Sequence, residues 1–474
     1  MILTPSLIRP IFESYSAAIS FDSVRWFLLV NVFGANKRHE QEHSRAHGDA
    51  HALLHQLSPG PSEMLRTTVR GIQEQGPNLV SFSDSIVDQN PWERAATPII
   101  HHHTGRITGD ASSVEVSLFA LIRTFVGSLL VPSLVGREFL ENYPEALEDI
   151  QDLDDGLKYL VLGLPRWLPI PSLSKAHIAR RRLLDAIRSL HGSLDQTAAG
   201  NEPNQPWRDL SDVGAVLKGR HAIWNAYGTP RDIRASSDLS LLWGMSTKTA
   251  KLVFWILVRL YSTPGLIQKV RDEIHPFAKA LQPSQFFGIP EPVRLEIDDA
   301  GLMQSCPLLK ACLYECLRLH SEPISMRSVQ KDISVLESPE DGRSIDGERR
   351  QTFVLEAGDF VASLPKTHQR DPHYYEFPNS FQPGRFLRSS VQGQPTLVQG
   401  ALNPWGLGEF ACPWRVLAEQ EVLAFVAAIV VLWDLESMDS HGWIVPRQKI
   451  SAMVSLPLED IRVEIRPRDL PIAR

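Results

Sequence analysis

The segment from Asp238 to Tyr261 constrains this chain more than any other, because it reads as one long, largely apolar helix. At 1.5 Å per residue it would be about 36 Å long. A helix of that character needs other elements to cover it. The chain has 474 residues, 43% of them hydrophobic, which is enough for one large core or two smaller ones.

The segments around it read mainly as helices. One begins near Leu140, runs to Gly163 and stops at the proline-studded stretch 165–171, where residues before proline leave the α region. A basic amphipathic helix follows from about His177 to Leu194. Ile178, Leu184, Ile187 and Leu194 keep a helical period, while Arg180, Arg181, Arg182 and Arg188 face elsewhere, as a solvated face or a membrane-contacting lip. Residues 197–206 read as a loop. Ser262-Thr263-Pro264 caps a further predicted helix over 264–281, and another spans 308–319. Short β-like runs follow over 353–364, with Gly358 at a turn. An irregular stretch rich in Pro, His and Asp precedes a last helix from about Pro413 to Leu435. Helices, a little sheet, a long meander and one more helix predict a mainly α fold with a small β part.

Val116–Val135 and Val422–Trp433 are apolar but read as buried core helices. The first carries Arg123 and Pro132, and the second falls short of the ~20 residues that a membrane span needs. The opening residues lack a basic region followed by an apolar core, so neither a signal peptide nor a transmembrane segment is expected. A net charge of −7 argues against a nucleic-acid binder.

The 4 cysteines do not form the spaced pattern of a secreted disulfide framework. Cys306, Cys312 and Cys316 crowd one helical stretch and read as packing residues. Cys412 stands apart, after an irregular loop carrying Pro404, Gly406 and Gly408 and just before Pro413, a residue suited to a first helical position. A cysteine there faces unpaired N–H groups and the positive end of a helix dipole, which favour the thiolate that a soft or strongly donating metal ligand requires. Glu315 and Arg318, three apart on a predicted helix, are neighbours. Arg385, between prolines and aromatics in Phe377-Pro-Asn-Ser-Phe-Gln-Pro-Gly-Arg-Phe386, could complete a buried cluster with them.

The ExxR pair, the PxRF element and the segment Trp405-Gly-Leu-Gly-Glu-Phe-Ala-Cys412-Pro, in that order and at these intervals, resemble the cytochrome P-450 family. The resemblance is strong from Asp238 to Glu436. Upstream, ENYPEALEDIQ and GLPRWLPIP resemble the middle helices of fungal members. Trp405 at the start of the cysteine loop is similar to the branch holding sterol 7α-hydroxylases and prostacyclin synthase.

The resemblance implies one domain over 1–474, with the long central helix at 238–261, the ExxR helix at 308–319, a meander at 365–400 and the haem-cysteine loop at 403–415. It implies haem b with Cys412 as axial thiolate, and Glu315, Arg318 and Arg385 locking the meander behind the loop. Arg327 matches a strand position that holds a haem propionate, Trp243 and Met245 would border the substrate, and Thr249 would serve as the catalytic alcohol. It also implies a monooxygenase of the endoplasmic reticulum membrane, cytosolic face. Electrons would come from NADPH-cytochrome P-450 reductase, and the substrate would be a hydrophobic secondary metabolite, lipid or sterol-like compound.

The sequence departs from the family pattern in places. Thr247 and Lys248 occupy the usual acid and alcohol positions of the central helix. Phe410 stands where a propionate-binding Arg or His is common. Trp414 replaces a glycine that lets the last helix approach the porphyrin. The family's membrane anchor and first strands are not recognised at the N-terminus, and the helix expected near 39–56 shows no familiar propionate ligand. These departures leave open an isomerase or dehydratase that does not use O2, or a non-catalytic remnant. A more distant alternative is a zinc hydrolase built on the HExxH pattern His39-Glu40-Gln41-Glu42-His43. The run His101-His102-His103 reads as an exposed loop.

Overall fold

The computed structural model describes residues 5–57, 62–102, 112–283, 292–322, 324–336, 352–389, 395–400, 402–449, 451 and 453–472. Nine helices define the site and its walls: α1 (Asp22–Asn31), α2 (Glu40–Leu57), α3 (Leu118–Val135), α4 (Ala146–Val161), α5 (Pro171–Ala198), α6 (Ala215–Ala226), α7 (Arg231–Ser262), α8 (Pro307–His320) and α9 (Arg415–Leu432).

Helix α7 starts seven residues earlier than the apolar pattern suggested. Asp238, its expected start, lies inside it, buried, accepting from Arg220 Nε at 2.8 Å and pairing with His191 Nε2 at 2.9 Å. Paired charges can occupy a helix interior that unpaired ones would disrupt. α7 packs against α3, α5, α8 and α9, and its Leu252 to Val258 run is fully enclosed. The main apolar cluster takes members from Leu29 to Ile465.

Two sheets frame the helices. Strands β1 (Ile19–Ser20), β4 (Ser325–Val329) and β5 (Phe360–Ser363) lie side by side in the order β1-β4-β5. The other sheet runs β6 (Trp433–Ser437), β7 (Arg462–Pro467), β3 (Ser112–Ser117), β2 (Ile99–His102), every pairing antiparallel. This is the mainly α architecture with a small β part that the element order predicts.

Several boundaries shift for identifiable reasons. The helix expected from Leu140 is two, Glu138–Asn142 and α4, split at Tyr143-Pro144 because the proline forces its predecessor out of the α region. The helix expected over 264–281 covers only Leu266–Ile274, and Ala278–Leu281 is a strand paired with Arg294–Ile297 beyond Pro276. α5 extends the basic helix at both ends, with Pro171 at its first position. α9 begins at Arg415, not Pro413. His101 and His102 lie in β2 rather than in a loop, and His103 falls outside the described residues. Two helices, α3 and α7, are long and apolar enough to cross a membrane, and most of each is buried within the protein.

Candidate active site

The cysteine loop is closed by a backbone hydrogen bond from Cys412 N to Trp405 O at 2.7 Å. Gly408 is required there: its φ is +55°, and a Cβ would stand 2.7 Å from the Phe12 carbonyl oxygen. The loop delivers the Cys412 thiol to the head of α9, where the Trp414 backbone N–H bonds the sulfur. Burial nevertheless raises the thiol's pKa above its ordinary value. The Lys248 ammonium and the Trp414 N–H oppose that rise without overcoming it. The helix-end N–H does favour the thiolate, but desolvation of the bare sulfur is the larger effect.

Behind the loop, Glu315 has no exposed side-chain surface and binds two arginines. Arg318 bonds it through Nε at 2.7 Å and Nη2 at 2.8 Å, and Arg385 Nε bonds it at 3.0 Å. Arg318 also donates to the carbonyls of Gln369, Pro378 and Ser380. The three charged residues and the meander backbone thus form one buried network.

Cys412 lines a cavity of about 400 Å³, within the range of small-molecule sites. Trp405, Trp414 and Leu417 share its cysteine-loop side. Trp243, Met245, Lys248 and Thr249 come from α7. His43, His47 and His51, one helical turn apart, come from α2, with Arg25 on α1 and Arg220 on α6. The cavity thus brings together Cys412, Thr249, Trp243 and Met245. Arg327 is not among its lining residues. That guanidinium stacks on Phe21, a lining residue, at 4.4 Å from the ring centroid, and burial lowers its pKa to about 10. The Trp414 side chain borders the cavity, so it does narrow the space that glycine would leave. The Phe410 side chain falls outside those described.

Further polar residues stand in the chamber wall or close behind it. Glu421 on α9 is buried and hydrogen-bonded to Thr249, and desolvation pushes its pKa up to about 8. Its place in the run AEQEVLAFV, a carboxyl inside an apolar helix, was the available signal. Lys251 Nζ pairs with Asp154 Oδ2 at 2.6 Å, both buried, and the Trp243 indole donates to Asp154 Oδ1 at 3.0 Å. Thr247 is engaged by its own helix, donating to the Trp243 carbonyl at 2.9 Å.

The zinc reading fails on placement. His39 lies in a short 3-10 turn ahead of α2, and no group of three or more His, Cys, Asp or Glu among the described residues could hold a metal ion. The stacked His43, His47 and His51 are driven toward neutrality by burial, with pKa values of about 4, 2 and 4.

Haem fits the chamber better. One wall presents a thiol. The Trp405 indole N–H and the Arg25 Nε are buried and lack hydrogen-bond partners among the described residues. Cations and imidazoles gather at the α1, α2 and α6 side. A flat apolar ring with a metal for the sulfur and carboxylates at its edge would satisfy each of these.

The cytochrome P450 family profile matches residues 226–463. The chain is 24% identical over 415 residues to cytochrome P450 7A1 of Oryctolagus cuniculus, covering 84% of this chain and 74% of that one. It is 24% identical over 364 residues to a cytochrome P450 monooxygenase of Gibberella zeae, covering 76% and 63%. It is also 24% identical over 339 residues to prostacyclin synthase of Rattus norvegicus, covering 65% and 64%. The alignment therefore spans less than two thirds of the last two relatives. With the profile covering half of the sequence, the chain belongs to the cytochrome P450 family of haem-thiolate monooxygenases, whose cofactor is haem b.

Proposed function

We propose that this protein inserts one oxygen atom of O2 into a hydrophobic small molecule bound between α7 and a haem held by Cys412. The observation that carries the reading is the Cys412 thiol opening into the cavity beneath Lys248 and Thr249. Haem bound there would supply the redox chemistry that splits dioxygen, with two electrons from NADPH-cytochrome P-450 reductase and two protons converting the second oxygen to water.

The chain's residues have distinct parts. Cys412 ligates the iron, helped by the Trp414 N–H. Glu315, Arg318 and Arg385 keep the loop in register from behind. Arg327, beside Phe21 at the cavity's edge, and Arg25 serve the haem carboxylates. Trp243 and Met245 border the substrate. Thr249 passes protons, and Glu421, mostly protonated at neutral pH, is the carboxyl that can resupply it. The Thr249–Glu421 pair supports oxygen activation over an isomerase or dehydratase, because it restores an acid beside an alcohol where Thr247 and Lys248 interrupt the family's usual arrangement. Residues 1–474 act as one catalytic domain. By its relatives' character it works at the cytosolic face of the endoplasmic reticulum membrane, on a secondary metabolite, lipid or sterol-like compound.

The test is the carbon-monoxide difference spectrum of the reduced, purified chain. The thiolate-type band should appear in wild type and vanish in Cys412→Ala. Product formation that needs neither reductase nor NADPH would favour the isomerase, and a chain that never takes up haem would favour a remnant.

A further inference from the structure

Lys248 is a cation of the chamber that makes no ion pair among the described residues; burial lowers its pKa, and the nearby Cys412 and Asp154 offset that only in part. It lies on α7 and lines the cavity with Cys412. Its ammonium sits over the Trp243 ring, 4.4 Å from the centroid. Its hydrogen bond, to the Gly244 carbonyl at 3.4 Å, is long and neutralises nothing.

The neighbouring acids are committed. Asp154 pairs with Lys251 at 2.6 Å and accepts from the Trp243 indole. Glu421 bonds Thr249 and is held mostly protonated at neutral pH. Arg220 has Asp238 and Arg25 has Asp22. Among the described residues Lys248 makes no ion pair, and the Asp154 carboxylate is already taken by Lys251. Bound haem does not supply the missing charge. A ferric ion held there would be balanced by the porphyrin nitrogens and the thiolate, and Arg25 would take the haem carboxylates. An ammonium buried without an ion-pair partner is held only weakly in its charged form, and an anion arriving with whatever fills the remaining space would stabilise it.

We propose that the substrate is a hydrophobic carboxylic acid whose carboxylate binds Lys248. This rests on the monooxygenase reading and deepens it. An unpaired ammonium matches a monoanion, and the apolar side chains of Met245, Leu252, Leu241 and Trp243 suit the hydrocarbon. The acid end therefore sits at α7, close to the reacting centre.

The experiment uses the haem-loaded full chain. Spin-state difference spectra and tryptophan fluorescence are followed while dodecanoic acid, a bulky cyclic acid such as adamantane-carboxylic acid, and the methyl ester of each are titrated in. Wild type should bind the acids about tenfold more tightly than their esters, the scale of one charge-assisted hydrogen bond. Lys248→Met should remove that preference while keeping the carbon-monoxide band, and Lys248→Arg should retain it. Lys248→Gln serves where the Met variant does not accumulate. Equal affinity for acids and esters in wild type, or a preference that survives Lys248→Met, overturns the inference while a normal carbon-monoxide band leaves the function standing. Loss of that band in wild type overturns the function instead, and the fluorescence titration still reads the acid preference.

Discussion

Arg385 Nε meets Glu315 Oε1 at 3.0 Å, although seventy positions of chain separate them. The carboxylate is fully buried and already holds Arg318, so the pair fastens the meander to α8 behind the cysteine loop. Breaking such a network strands a charge. Glu315→Ala should destabilise the protein by about 3–5 kcal/mol, and Arg385→Ala by somewhat less because Arg318 still answers the carboxylate. Urea denaturation midpoints check this, and equal stability of Glu315→Ala and wild type would remove the network's structural role.

The buried Asp154–Lys251 pair ties α4 to α7. Asp154→Asn leaves a buried ammonium without its anion and should cost about 3 kcal/mol or more. The double replacement Asp154→Leu with Lys251→Met removes both charges and should recover most of that loss, because replacing a whole buried pair by apolar groups is often neutral. Thermal melting of the two variants side by side decides it. A double variant less stable than Asp154→Asn would mean that the polar network, including the Trp243 indole, matters more than the charges.

The sequence exposed the site's local parts and hid its assembled ones. Cys412 was legible because the loop, the turn glycines and the helix start are contiguous, and the ExxR pair because three residues make one helical turn. Asp154 was not legible. It sits in a run of several acids, and nothing in the order of residues says that this one turns inward to meet Lys251. Asp238 reads as the start of the long helix, which begins seven residues earlier, because its partners Arg220 and His191 come from other elements. The HExxH pattern of His39 and His43 offered zinc as a distant alternative because spacing alone cannot distinguish converging ligands from a stacked row.

Glu421 gives stability a falling limb with alkali. Its folded pKa, about 8, lies above the ordinary 4.5, so the native state holds a proton that the unfolded state has released. The protonated form's advantage is complete below the unfolded value and is lost as pH rises through about 8. Glu421→Gln keeps a neutral group beside Thr249 and should flatten this limb. Unfolding free energy measured from pH 7 to 9, above the range where the α2 histidines titrate in the unfolded chain, should fall in wild type and stay closer to level in the variant. A parallel decline in both would assign the effect to other groups.

The α2 histidines set the acid limb. His43 and His51 fall to about 4 and His47 to about 2, chiefly by desolvation and then by neighbouring positive charge. The unfolded chain takes up protons at these rings near pH 6.5, while the folded chain refuses them. Stability contributed by the neutral rings is therefore full above about 6.5 and is lost as pH drops toward 4. Glu421 opposes this from the alkaline side. His47→Leu, which keeps the stacked row apolar, should lower the slope between pH 6.5 and 4 by about one proton. Denaturant titrations at closely spaced pH values measure that slope directly, and an unchanged value would mean that His47 is protonated in the folded protein.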